Sequence, residues 1–459
     1  MKTTLTTILA ALALVLSTAT LAAQERDSIL LFDQALFYDG YLFDKNPDSL
    51  LQDGILRHST SLYAVRMTEQ QLSSIGDSID MDIWVKACCD NYDRIGNINL
   101  AFVGKGATRY SPDSVARIEL GRFITPFMNM NKQPNVVPYS FWIDYLSPIL
   151  RDAKLRARYD YWMEFELFGV PYAANQQIIG CTGRSDVFKG TLVLATSKPA
   201  RPLTDDNVLI PIVMKKPEYK GANLNNYSEQ GTDTLGKTTK TYTFTLDEDV
   251  NDAQLVLVTS NHGANAGGEE YSRRWHYVYL DDELILTYKP GRTSCEPFRK
   301  YNTQANGIYG TKKRSDATWQ SFSNWCPGDA IDNRIIALGP TKAGVHRVRI
   351  SVPEAVFQDA QGDIPVSLFF QGTVSGTLPV GVRTPLMTKK PVAELVQQGR
   401  TLSVNTTEEL AGIELYDVQG RLQQRVSGQG TVTAPAPGLF LLNVETADGI
   451  IETHKVWVK

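Results

Sequence analysis

The chain has 459 residues, 42% of them hydrophobic, with 46 basic and 50 acidic residues and a net charge of -4. That apolar content supports packed cores and excludes a disordered chain, and the length allows roughly two or three domains. The charges are well mixed, with no basic stripe or block, so nucleic acid is excluded as an expected partner.

The N-terminus has the pattern of a signal peptide over residues 1–23. Lys2 is the charged start, the run from Leu5 to Leu16 is apolar, and Ala19, Ala22 and Ala23 are small residues before a cut at Gln24. The run is too short to span a bilayer, and no later segment is apolar enough to do so. The expectation is an exported, soluble protein without a membrane span.

Beyond the leader the chain is mostly β. Short alternating runs recur at Met81–Val85, Ile98–Val103, Gln254–Val258 and His346–Ile350, separated by Gly, Asn, Asp and Pro clusters. Helical patterns are scarce. Asp144 to Leu150 allows one turn, limited by Pro148. Regular short strands over this length predict β-sandwiches, because each sheet must bury a face. Ser197 to Pro202 marks a linker after the first sandwich. Thr232 to Thr241 is a polar stretch expected as an exposed loop or hairpin. The expected domains are 24–202, 203–380 and, after a linker at 381–390, a small β unit at 391–459.

Export permits disulfides among Cys88, Cys89, Cys181, Cys295 and Cys326. Cys295 and Cys326 are expected to pair and staple a loop. One of Cys88 or Cys89 is expected to pair with Cys181, with a vicinal Cys88–Cys89 bridge as the alternative. No Cys or His spacing has the pattern of a zinc site, and the five histidines are too scattered for copper. No metal and no cofactor are expected.

Three separated stretches set carboxylates beside aromatic and basic residues: Asp90-Asn91-Tyr92-Asp93-Arg94, Arg158-Tyr159-Asp160-Tyr161-Trp162, and His262-Gly263 followed by Glu269-Glu270-Tyr271-Ser272-Arg273-Arg274-Trp275-His276. Aromatic faces stack on sugar rings, while carboxylates bind hydroxyls or activate water. The combination points to a carbohydrate-active hydrolase.

With Glu119-Leu120-Gly121-Arg122-Phe123-Ile124-Thr125-Pro126-Phe127 and Trp325-Cys326-Pro327-Gly328, these motifs resemble, in order, those of the peptide-N-glycosidase F family over residues ~25 to ~375. The resemblance implies an all-β fold of two adjacent antiparallel jelly-roll sandwiches with a site between them. It also implies cleavage of the amide joining an Asn side chain to the innermost GlcNAc of an N-glycoprotein or glycopeptide. By resemblance Asp93 activates water, Glu270 acts on the amide or water from the second domain, and Asp160 is a third acid, one methylene shorter than the family's Glu. Tyr92, Arg94, Trp162, Tyr271, Arg274 and His262 are the implied substrate-binding residues. His276 is expected to support the second-domain site, and Trp325 to pack beside the Cys295–Cys326 bridge.

The chain departs from the family pattern in four places. No Arg precedes Trp325, Tyr92 stands where Trp is usual, Ser272 replaces a Cys, and an insertion runs from Met163 to about Ser185. These departures favour altered specificity. The competing expectation is a glycan-binding surface protein without catalysis. The last ~70 residues resemble the C-terminal sorting domain of proteins exported by the type IX system. That resemblance implies contact with secretion machinery and release or anchoring at the outer-membrane surface. A monomer is the default.

Overall fold

The structure is a computed structural model. It describes residues 26–42, 51–197, 200–203, 206–214, 223–224, 238–263, 269–304, 309, 312–357, 362–374, 394–406, 409–417, 422–447 and 451–458. The expected leader, the expected linker at 381–390 and most of 232–241 lie outside the described residues.

The protein is all-β, as the short alternating runs require. The first sandwich packs two antiparallel sheets. One runs in the order Arg26–Tyr38, Asp186–Ser197, Ile79–Ala87, Val136–Trp142. Ile79–Ala87 buries alternate residues, with Ile79, Met81, Ile83, Val85 and Ala87 facing the core. The opposing sheet contains Ala116–Ile124, Ile95–Gly104, Tyr159–Leu167, Leu62–Arg66 and Ile55–Arg57. Ile95–Gly104 does not alternate, because Asn97, Asn99, Ala101 and Val103 on its outer face are buried too. The second sandwich packs the sheet Asn207–Val213, Val366–Thr373, Val250–Thr259, Arg334–Thr341 against the sheet Thr239–Leu246, Gly344–Ser351, His276–Leu280, Glu283–Tyr288. Thr239 to Thr241, expected in a loop, therefore begin a strand paired with Arg349–Ser351. The two sandwiches have the expected side-by-side jelly-roll architecture.

Ser147–Arg151 forms a short helix after a 3₁₀ turn at Asp144–Leu146. Pro148 sits in its first turn, where a missing N–H costs nothing.

Hydrogen bonds and a short strand pairing join the two sandwiches along their seam. The second sandwich lends Ala330–Ile331 to the first, pairing with Phe123 and Arg122. At the centre of the seam Arg122 and Glu119 are fully buried. Arg122 donates Nε and Nη2 to the two Glu119 oxygens at 2.8 and 2.7 Å. Its Nη1 donates across the seam to Ser260 Oγ at 2.7 Å and the Pro365 carbonyl at 3.0 Å. Ser367 returns a hydroxyl to Glu119. Asn333 donates to the Leu120 carbonyl, and Gln371 to that of Tyr145. Val256 and Phe369 of the second sandwich join the first core.

The third unit is a small sandwich with its own core, including Leu402, Val404, Ile413, Leu415, Val432, Leu442 and Val456. It rests on the second sandwich through an aromatic patch in which Tyr416 and Leu441 meet Tyr277 and Leu284. Trp275 packs edge-on to Tyr416 with ring centroids 5.1 Å apart.

A buried ion pair tolerates desolvation only while both partners stay bonded. Arg122→Ala strands the Glu119 charge and is expected to cost about 3–5 kcal/mol in denaturant unfolding. A loss under 1 kcal/mol would show that the seam does not depend on this pair.

Candidate active site

The first wall of the site is the loop after Ile79–Ala87. The Cys89–Cys181 disulfide, with a Cα–Cα distance of 5.5 Å, ties it to the segment after Leu167. This selects Cys89 over Cys88, which is free and buried. Asp90 is the post of the loop. Fully buried, it accepts the N–H groups of Tyr92 at 2.9 Å and Val170 at 2.7 Å, and Arg94 Nε at 2.7 Å. Thr125 closes the loop. Its hydroxyl accepts from the Arg94 N–H at 2.7 Å and donates to the Tyr92 carbonyl at 3.1 Å. Arg94 therefore pairs with Asp90 and does not bond Asp93 directly. The Asp93 carboxylate has no ion-pair partner among the described residues. Arg94 also lies over the exposed Tyr92 ring, 5.2 Å from its centroid.

The stretch expected as an insertion from Met163 to about Ser185 starts within a strand that continues through Leu167. The segment after it carries a helix over Tyr172–Gln177 and packs against the Asp93 loop. Gln177 Oε1 accepts from Asn91 Nδ2 at 2.7 Å, which fixes the pair. Tyr172 stands exposed nearby.

The second wall is Ser260–Gly263 with the segment that starts at Glu269. Glu270 is buried, and its Oε2 accepts the Gly263 N–H at 3.1 Å, while its own N–H donates to the Gly263 carbonyl at 3.2 Å. Gly263 holds φ +115°, a conformation that favours glycine. Tyr271 also donates its hydroxyl to Glu270. The segment is not a strand, so strand alternation does not separate Glu269 from Glu270. Glu269 is instead consumed structurally, bonded by Arg274 Nε at 3.0 Å and the Val356 N–H at 3.0 Å. Arg274 thus serves Glu269 rather than a substrate.

Asn324 holds this segment in place, which the sequence did not reveal. Its Nδ2 reaches the carbonyls of Glu269, Glu270 and Ser272 at 2.7, 2.5 and 3.2 Å. Trp325 donates Nε1 to the Asn261 carbonyl at 2.7 Å and packs with Ile124, Val258 and Ile331. The ring over the Cys295–Cys326 bridge is Trp319, not Trp325. His262 bonds Ser260 Oγ at 2.7 Å and lies beside Trp325. His276 is buried against Tyr288, and burial drives its pKa down to about 3, so it is a neutral core residue.

Asp93 and Glu270 face each other across the seam. Burial, and then the charge of Glu270, push the Asp93 carboxyl up to about 8, against the opposing pull of Arg94. Burial also raises Glu270, while the Tyr271 hydroxyl and Gly263 N–H favour its charged form. Burial and the neighbouring carboxylate thus favour the protonated form of Asp93.

Asp160 and Trp162 are elsewhere. Gly96, near Asp93, pairs with Leu167, whereas Asp160 pairs with Val103. Seven residues separate these rungs, about 23 Å at ~3.3 Å per residue. Asp160 is bonded by the Gly106 N–H at 2.8 Å and Lys105 Nζ at 3.0 Å, which with Arg66 hold its pKa low despite burial. It is a structural anchor at the far end of the sheet. Trp162 packs there with Ala64, Ala101 and Val103.

The Asp93 carboxyl is raised from its usual 3.8 to about 8 by folding. Its native state then binds more protons than the unfolded chain between those values, so this group's favourable contribution is lost as pH rises through 8. Asp93→Asn is expected to gain stability over the native chain as pH increases from 4 to 8, with no difference below pH 4. Parallel stability–pH curves would contradict the placement of this carboxyl.

Two family descriptions match the chain: Peptide-N-glycosidase F, N terminal, over residues 28–182, and Peptide-N-glycosidase F, C terminal, over residues 230–371. No curated protein matches the chain. Among solved structures, PNGF-II in its P21 crystal form aligns with a TM-score of 0.56 at 20% identity, covering 76% of this chain and 66% of that one. This chain thus spans just under two thirds of PNGF-II. Recombinant peptide: N-glycanase F (PNGase F) aligns at 0.50 and 15% identity, covering 77% and 97%. Peptide-N(4)-(N-acetyl-beta-D-glucosaminyl) asparagine amidase aligns at 0.50 and 16% identity, covering 77% and 98%. At these identities the structures share the fold. The two family matches together span most of both sandwiches, and the chain belongs to the peptide-N-glycosidase F family.

Proposed function

We propose that the protein is an amidase that hydrolyses the bond between an Asn side chain and the first GlcNAc of an N-glycan. The observation that carries this reading is the Asp93–Glu270 pair at the seam, in a chain of this family. Amide hydrolysis needs a base for water and an acid for the departing nitrogen, and two carboxyls, one of them raised to about 8, can supply both.

Sequence resemblance assigns water activation to Asp93. The electrostatics favour the reverse division. Glu270, whose charged form accepts hydrogen bonds from Tyr271 and Gly263, takes a proton from water as the water oxygen attacks the Asn side-chain carbonyl carbon. The C–N bond breaks, and Asp93 delivers its proton to the leaving nitrogen. The products are an Asp side chain and a glycosylamine. Water that later hydrolyses the glycosylamine releases ammonia. Since the bond broken is an amide, the carboxylate spacing rule for glycoside hydrolysis does not apply.

Exposed Tyr92, backed by Arg94, and Tyr172 offer aromatic faces for sugar rings on the first-sandwich side. The Phe168–Ser185 segment beside them would set which peptides enter. Export through the type IX route is part of this reading. It rests on the N-terminal leader pattern and on the compact third unit with its sorting-domain resemblance.

The test is a defined N-glycopeptide incubated with the full chain and with Asp93→Asn, read by mass spectrometry. The expected product is peptide carrying Asp, about one mass unit above the Asn form, with the whole glycan released and a loss of about 10²-fold or more in the variant. Cleavage between the two GlcNAc residues would overturn the reaction. Saturable binding with no cleavage by the native chain would favour a glycan-binding protein.

A further inference from the structure

The segment that packs on the Asp93 loop carries a side chain that neither the fold nor the paired carboxylates use. Ile178 is buried with Cys89, Ala174 and Cys181, while the next residue, Ile179, is 90% exposed, the most exposed large apolar side chain among the described residues. We infer that Ile179 is a peptide-side contact of the site, binding an apolar side chain of the polypeptide close to the glycosylated Asn. This contact presupposes the amidase reading above and adds to it what the enzyme recognises beyond the glycan.

Three observations support this. First, the segment runs alongside the loop that bears Asp93. Val170 donates its N–H to Asp90 at 2.7 Å, Gln177 accepts from Asn91 at 2.7 Å, and Cys181 is bridged to Cys89. Ile179 lies between the last two of these ties, at the rim of the Asp93 wall. Second, Ile179 stands on a fixed backbone. Its carbonyl accepts Asn131 Nδ2 at 2.9 Å, Gly180 turns the chain with φ +86°, and Arg184 Nη1 donates to the Gly180 carbonyl at 3.3 Å. A side chain displayed in this way gives up little backbone freedom on contact. Third, exposed apolar side chains gather here. Tyr92 is exposed on the Asp93 loop, Tyr172 on the segment itself, and Tyr41 edge-on to Phe168 with ring centroids 5.3 Å apart. Apolar residues exposed singly need no explanation, but a group of them marks a surface that a partner covers.

The chemistry assigns the occupant. A sugar ring is bound by flat aromatic faces and by groups that bond its hydroxyls, and tyrosine offers both. A branched aliphatic side chain offers neither, so Ile179 suits the other half of the substrate, an apolar side chain of the polypeptide. Ile179 follows Gln177 by two residues and Asp93 follows its bonded partner Asn91 by two, so a short extended peptide rising ~3.3 Å per residue spans from one to the other. Ile179 is the residue to change, because a side chain this exposed holds nothing in place.

The test is calorimetric titration of the full chain carrying Asp93→Asn with two synthetic glycopeptides that share one N-glycan and carry either Leu or Ser on both flanks of the Asn. The expected result is that the Leu peptide binds about tenfold tighter than the Ser peptide, that Ile179→Ser brings this ratio to about one without changing binding of the Ser peptide, and that Ile179→Val keeps most of it. Equal binding of the two peptides, a ratio that survives in Ile179→Ser, or no binding of either would overturn the contact. An equal loss on both peptides in Ile179→Ser would make the residue structural. Self-association abolished by Ile179→Ser, with no preference between the peptides, would make it a contact between copies of the chain. Hydrolysis of the same two peptides by the chain with Asp93 intact is read separately. If hydrolysis fails while the binding ratio holds, the amidase reading falls and the peptide contact stands. If hydrolysis proceeds with equal kcat/KM on both, the contact falls and the amidase stands.

Discussion

The Arg122–Glu119 pair is the constraint on which the site depends. Both side chains are fully buried at the seam, and Arg122 bonds residues of both sandwiches. Such a pair is costly to desolvate and is retained where it fixes geometry. Here it lies on the strand that leads into Thr125, the residue that closes the Asp93 loop. Across the seam it grips Ser260, three residues before the Gly263 that bonds Glu270. One buried contact therefore ties together the segments that lead to the two carboxylates.

Around that contact, the walls are held by groups that perform no chemistry. Asp90 gathers its loop with three hydrogen bonds, and Asn324 gathers the Glu270 segment by three carbonyls. Arg273 adds a further tie from its segment to the Pro290 and Gln320 carbonyls. Catalytic geometry built on loops needs this support, because a displacement of about 1 Å is expensive in rate. The cost appears as two carboxyl groups held above their ordinary values in the folded state. The third unit touches the same region from outside, with Tyr416 against Trp275, five residues beyond Glu270.

Much of this was legible in the sequence, for identifiable reasons. Alternation at Met81–Val85 is clean because one face of that strand is the core and the other is solvent. Alternation fails at Ile98–Val103 because the outer face is covered, and no local pattern announces a second burial partner. Asp93 and Glu270 stood out because each sits in a short motif whose neighbours are unusual in combination. Asp160 misled for the opposite reason. An acid two residues from a Trp fixes which face of a strand both occupy, but not which end of the sheet. The pairing of Val103 with Asp160 decides that, and pairing is tertiary information. Asn324 carries no signature, because any buried polar residue with well-placed backbone partners would fill its role. The choice of Cys89 over Cys88 likewise depends on which neighbour faces Cys181.

The most direct test of the account is the pH dependence of kcat/KM for a neutral N-glycopeptide, which reports ionisations of the free enzyme. A proton held by Asp93 gives a bell. Its acid limb lies above the ordinary glutamate range, from Glu270, and its alkaline limb falls near 8, where Asp93 loses its proton. Asp93→Asn should remove the limb near 8 from whatever residual rate remains. A rate that instead climbs through pH 8 to a plateau would make ionised Asp93 the base and contradict the division of roles argued from the seam.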